Sequence, residues 1–214
     1  MPPETGLRPP QQRRSRESLE RVLKAGEKLL AQKGYDGFTV AEVSRKAKVS
    51  VGSVYGRFQS KDALIYEIHR RLLERIAAWT DAESEAISQD PDLELQGAVA
   101  RAVHLVADST DSERALLRAF MLRGPVDPHI AGPGSKSSQA VGRAFKAAVL
   151  RHRDEIGHPK PELACDIAYR MAYDVLARNV MYGPTFESDT ERTWAELVDE
   201  LISASVAYLR FGER

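Results

Sequence analysis

Between Thr39 and Lys61 the chain reads TVAEVSRKAKVSVGSVYGRFQSK, and its hydroxyl, small and basic side chains fall at offsets suited to holding a polyanion. Thr39 with Glu42 has capping-box spacing, and Ser50 and Ser60 each precede a helical pattern that they can cap. Backbone donors at a capped helix start also favour an anion. If Val54 and Phe58 turn inward on the helix after Ser50, then Val51, Gly52, Ser53, Tyr55 and Arg57 lie toward its outer side. Small groups there permit close approach. Val51 can meet a thymine methyl, Ser53 a base edge or phosphate, and the Tyr55 hydroxyl a phosphate, which is contact chemistry for a DNA major groove. The same spacing is also compatible with an ordinary helical hairpin that has caps and a buried tyrosine.

The residue types of catalysis do not assemble in this way. His69, His104, His129, His152 and His158 form no H-E-x-x-H pattern and have no cysteine partner at ligand spacing, so no metal and no cofactor is expected. Asp127 with His129, in a proline-rich stretch, comes nearest to a metal pair. No G-x-S-x-G elbow, glycine-rich phosphate loop or dinucleotide fingerprint is present, and no catalytic residue is assigned.

The elements that must position these residues are helical. The chain has 214 residues, 43% of them hydrophobic, and no run approaches the roughly 20 apolar residues of a membrane span. The first residues, MPPETGLRPPQQRRSR, lack the apolar centre of a secretory signal, and Cys165 is the sole cysteine, which fits a reducing compartment. A cytoplasmic protein is expected. Net charge is zero, yet residues 1–75 carry sixteen Lys and Arg against nine Asp and Glu while the remainder carries fifteen against twenty-two. A basic amino-terminal module on an acidic body points to an anionic partner at one end, nucleic acid first.

Residues 1–14 hold four prolines with Arg8, Arg13 and Arg14 and are read as a disordered basic arm. A first helix follows from Ser15 to Gly34, a second of about eight residues carries Val40, Val43 and Ala47 inward, and a third runs from Ser50 to about Phe58. A long fourth helix, 61 to about 87, joins this module to the rest. Leu95 to Val106 marks helix five and Ala115 to Leu122 supports helix six, after which Gly124 to Ser138 reads as a long connection. Helices seven (about 139–153), eight (162–182) and nine (about 189–211) complete an all-α chain. The expected division is an arm over 1–14, a helix-turn-helix domain over 15–75 with its motif at about 39–58, and a ligand-binding and dimerisation domain over 76–214.

In that body, His104, Phe120, Met121, Phe145, Tyr169, Tyr173 and Arg178 can supply apolar wall and polar points to a cavity, although each is also ordinary core chemistry. Met171 and Val175 on helix eight, with Trp194, Leu197, Val198, Leu201, Ile202 and Ser205 on helix nine, make broad stripes. Such stripes suit either a core or a four-helix interface between two copies.

The run from Thr39 to Lys61, with V-S-x-G-S-x-Y followed by F-x-S-K, resembles the DNA-binding domain of the TetR family of transcriptional regulators, and the likeness covers about 15–75. The resemblance implies that the third helix enters the major groove and that Tyr55 and Lys61 contact backbone phosphate. It also implies a homodimer on a palindromic operator, a small-molecule effector in the body, and repression. Three positions depart from the pattern: Lys48 stands where glycine is usual, Val51 where a polar or basic residue is frequent, and Gly56 where the residue is often large. The base preference is therefore open. The alternative function is a helical small-molecule binding protein or enzyme without specific DNA binding, whose basic end serves solubility or docking.

Overall fold

The computed structural model describes residues 10–212. Among them nine α-helices form and no strand, as the all-α reading expects: α1 (Pro10–Lys33), α2 (Val40–Ala47), α3 (Val51–Tyr55), α4 (Lys61–Ser88), α5 (Leu95–Ser112), α6 (Arg114–Arg123), α7 (Pro128–Leu150), α8 (Pro161–Tyr182) and α9 (Trp194–Arg210). The chain divides into two compact units between His69 and Arg70, inside α4.

In the first unit α1 begins earlier than its apolar pattern does. Residues 10–14, read above as part of a disordered arm, are helical, because Pro10 is tolerated at a helix start and Arg13 pairs with Glu17 one turn on at 3.0 Å. The rest of that arm, residues 1–9, lies outside the described residues. Gly34 stops the helix with φ +65°. Val22, Leu23, Leu29 and Leu30 of α1 are buried with Val40, Val43 and Ala47 of α2, Val54 of α3, and Leu64, Ile65 and Ile68 at the start of α4. Gly26 allows that packing: a Cβ there would lie 2.6 Å from Ile68 Cδ1. α3 is shorter than expected. It ends at Tyr55, and the bond from Phe58 N–H to the Val54 carbonyl at 2.9 Å carries the chain on as a turn.

In the second unit α5 is central: Leu95, Ala98, Val99, Ala102, Val103, Leu105, Val106 and Ala107 are all buried. α8 approaches with small groups, Ala164, Cys165, Ala168 and Ala172, while Phe145 and Val149 of α7 and Val198, Leu201 and Leu209 of α9 fill the remaining core. The long connection expected over 124–138 is largely helix. α7 starts at Pro128 behind an Asp127 cap whose Oδ1 accepts from His129 N–H at 3.1 Å. Proline fixes φ near the helical value, so Pro128 at the first position favours the start, and Pro133 costs one backbone bond without stopping the helix. Asp127 and His129 thus form a helix cap, and no group of three or more metal-ligating side chains occurs among the described residues.

Candidate functional site

The caps read from the sequence form as hydrogen bonds. Thr39 Oγ1 accepts from Glu42 N–H at 3.3 Å and Ser50 Oγ accepts from Ser53 N–H at 3.1 Å, so each side chain fixes the start of α2 or α3. Glu42 is held on its other side by Lys33 at 2.6 Å, and that hydrogen bond keeps its carboxyl below the usual carboxylate range. Between the helices Lys48 adopts φ 55° and ψ 48°, the left-handed conformation that a glycine would take without strain. Its N–H bonds the Arg45 carbonyl at 3.3 Å and Val49 N–H bonds the Ser44 carbonyl at 3.1 Å, a Schellman ending. Arg21 Nε reaches the Ala47 carbonyl at 3.1 Å and ties α1 to the same end.

Of the five residues of α3 only Val54 is buried. Val51 is 41% exposed and Tyr55 50% exposed, and Thr39, Ser50, Gly52, Ser53 and Arg57 are exposed with them. Gly52 is not demanded by the interior, since a Cβ there would meet nothing nearer than Ser50 Oγ at 4.0 Å. Its missing side chain is therefore a property of the outer face.

Two basic residues of the expected set have protein partners. Arg57 Nη2 donates to the Ser15 carbonyl at 3.3 Å and to Ser15 Oγ at 3.2 Å, which ties the end of the motif to α1. Lys61, half-buried, donates from Nζ to the Tyr35 carbonyl at 2.8 Å and lies 4.4 Å from that ring's centroid, while Tyr35 donates its phenolic hydrogen to Asp62. Sequence reading missed Tyr35, Ser15 and Arg21. The one local signal was a tyrosine directly after the helix-stopping Gly34.

Of the residues proposed for a body pocket, two meet on one groove. Tyr169 and Tyr173 line a groove of about 420 Å³ along α7 and α8, and buried Phe145 lies behind them, its ring centroid 5.7 Å from that of Tyr169. His104 is exposed on α5 with Asp108 at 3.6 Å, and Arg178 is exposed with Glu187 as its partner. Phe120 is buried in α6 and Met121 half-buried beside it, neither of them on the groove. The interface residues also separate. Val198, Leu201 and Ser205 are buried inside the second unit and are withdrawn from any open face. Val175 is 40% exposed, and Met171, Trp194, Leu197 and Ile202 are half-buried, with Arg114 stacked 4.1 Å over the Trp194 ring.

No helix among the described residues is long and apolar enough to cross a membrane. Residues 22–68 match the family model of the bacterial regulatory proteins, tetR family, which spans the capped module just described. Uncharacterized HTH-type transcriptional regulators of Mycobacterium tuberculosis and Mycobacterium bovis are 26% identical over 137 residues, 64% of this chain. The match spans 62% of the length of those relatives. In three dimensions the chain is similar to a TetR transcription regulator from Haloarcula marismortui, with a TM-score of 0.68 at 16% identity over 91% of this chain and 97% of the other. It is also similar to the transcriptional regulator FadR from Bacillus subtilis in complex with stearoyl-CoA, with a TM-score of 0.66 at 12% identity over 89% and 98% of the two chains. The capped two-helix motif lies within residues 22–68, and that domain belongs to the tetR family of bacterial regulatory proteins, while the chain as a whole shares its all-α fold with the solved regulators.

Proposed function

We propose that the chain is a homodimeric, ligand-responsive repressor that binds double-stranded DNA through Thr39, Ser50, Val51, Gly52, Ser53, Tyr55, Arg57 and Lys61. The observation that carries this reading is the outer side of α3, where Val51 and Tyr55 stand 41% and 50% exposed on a helix with a single buried residue. Apolar and aromatic side chains held out beside a flat glycine suit a surface that closes against a partner. A major groove accepts such a helix, with methyl contacts for Val51 and phosphate for Tyr55.

Two copies would place two such helices about 34 Å apart on a palindromic operator. Val175, Met171, Leu197 and Ile202 support a partner face on α8 and α9, since none of them is fully enclosed by the chain itself. The second unit is read as the effector-binding part, for a small apolar or aromatic ligand, and the stearoyl-CoA complex of the similarly folded FadR supports a small-molecule role there. α4 contributes residues to both units, so a ligand that favours one disposition of α4 weakens DNA binding, and DNA weakens that ligand by the same factor. On this reading the protein acts in the cytoplasm and has no enzymatic step.

Fluorescence anisotropy with a library of genomic fragments, at stated salt, tests the proposal. One palindromic fragment bound on the order of a thousandfold more tightly than the rest is the expected result. Weak binding that is indifferent to sequence would instead favour a helical small-molecule protein with a merely basic end.

A further inference from the structure

The groove along α7 and α8 has a wall fixed before any ligand arrives. Gly142 lets the Tyr169 ring lie directly on α7, because a Cβ there would be 2.7 Å from it. Tyr169 donates its phenolic hydrogen to the Ser138 carbonyl at 2.6 Å, and burial pushes that phenol up, so the proton stays on. Ser138 Oγ is 3.0 Å from the Tyr173 hydroxyl oxygen, and the two tyrosine rings lie 5.8 Å apart. Two aromatic side chains are thus held in place by one serine.

The charges around this wall do not balance in the same way. Asp166 takes both Lys146, at 3.2 Å, and Arg170, at 2.7 Å, and is held below the usual carboxylate range by those two bonds. Asp174, one turn beyond Arg170, adds its field to that arginine. Arg143 lines the groove three residues before Lys146 and has no hydrogen bond or ion pair among the described residues. One guanidinium is left for something outside the chain.

We propose that this groove is a binding site for a small planar monocarboxylate, its acid group on Arg143 and its ring against Tyr173. A guanidinium matches a carboxylate bidentately, and about 420 Å³ falls within the roughly 300–1,000 Å³ of small-molecule sites. The residue set differs from the apolar pocket first expected in the body, of which it retains only Tyr169 and Tyr173. The proposal stands apart from DNA binding and is tested without it.

Benzoate is the probe, titrated at millimolar concentration into the full chain and followed by the ring resonances of Tyr169 and Tyr173, with inorganic phosphate as the comparison anion. Saturable shifts of both tyrosines with benzoate are expected, about tenfold weaker in Arg143→Gln and stronger in Asp174→Asn, which removes a nearby negative charge. Circular dichroism of each variant checks that the fold is kept. Absence of saturable shifts, equal affinity in Arg143→Gln, or phosphate producing the same shifts would each overturn the proposal.

Discussion

Lys61 Nζ donates to the Tyr35 carbonyl at 2.8 Å while the ring of the same tyrosine lies under the ammonium at 4.4 Å, so one residue holds this cation from two sides. Tyr35 also reaches Asp62, and the first turn of α4 is thereby clamped to the end of α1. A lysine free to meet phosphate would affect affinity alone. For this half-buried one, Lys61→Ala is expected to lower the stability of the first unit by about 1 kcal/mol as well as to weaken DNA binding. Urea unfolding beside anisotropy separates the two effects. An unchanged unfolding midpoint would show that the clamp contributes nothing.

Tyr55 presents the opposite case. It is half exposed and no partner among the described residues holds its hydroxyl, so Tyr55→Phe should leave stability within about 0.5 kcal/mol. If that hydroxyl meets phosphate, affinity falls by a similar factor for every sequence, with little change in preference between operators. Gel-shift competition between two unrelated fragments measures this. A variant that weakened one fragment alone would move Tyr55 from phosphate to base contact.

Lys48 carries a conformational cost that a sequence can anticipate and only a structure can locate. Its φ of 55° crowds the Cβ, whereas glycine there would only gain chain entropy when unfolded. The two effects oppose each other and strain is the larger, so Lys48→Gly should raise stability by about 0.5 kcal/mol. Thermal unfolding of the variant reads the sign directly. A lower midpoint would mean that the lysine side chain stabilises the turn by more than its strain costs.

These cases show where sequence was informative. Thr39, Ser50 and Ser60 announce helix starts because a cap is made by residues three apart, and all three caps form. The start of α7 was missed, since Pro128, Gly132, Pro133 and Gly134 have the composition of a loop and only the cap of Asp127 on His129 makes them helical. The hold on Lys61 was illegible for another reason: Tyr35 is twenty-six residues away, and no periodicity links them. The stripe of α9 was visible but not its direction. Apolar residues at helical spacing look alike whether they meet their own core, as Val198 and Leu201 do, or remain half-buried, as Leu197 and Ile202 do.

Ser205 completes that stripe and exposes its cost. It is fully buried, and its hydroxyl has no hydrogen-bond partner among the described residues. A buried, unpaired hydroxyl loses water without replacement, so Ser205→Ala should stabilise the second unit by about 1 kcal/mol. Chemical denaturation checks it. Loss of stability would mean that the hydroxyl finds a partner in solution, such as a buried water.

Cys165 gives a test in which the sign depends on pH. Burial pushes its thiol up from 9.0 to about 11, with the nearby Glu162 charge adding to the effect. The folded chain therefore keeps the proton over a range in which the unfolded chain has lost it. Below the unfolded value the contribution is fully present; it declines as pH rises through the interval and levels off above the folded value. Lysines and tyrosines titrate nearby, so the quantity to measure is the stability difference between the native chain and Cys165→Ala. Replacing the thiol also removes packing, which makes the variant less stable at about pH 8. That gap should narrow by about pH 10 as the thiolate penalty grows in the native chain alone. A gap independent of pH would show that water reaches the sulfur and that the α8 core around it is looser than its small residues imply.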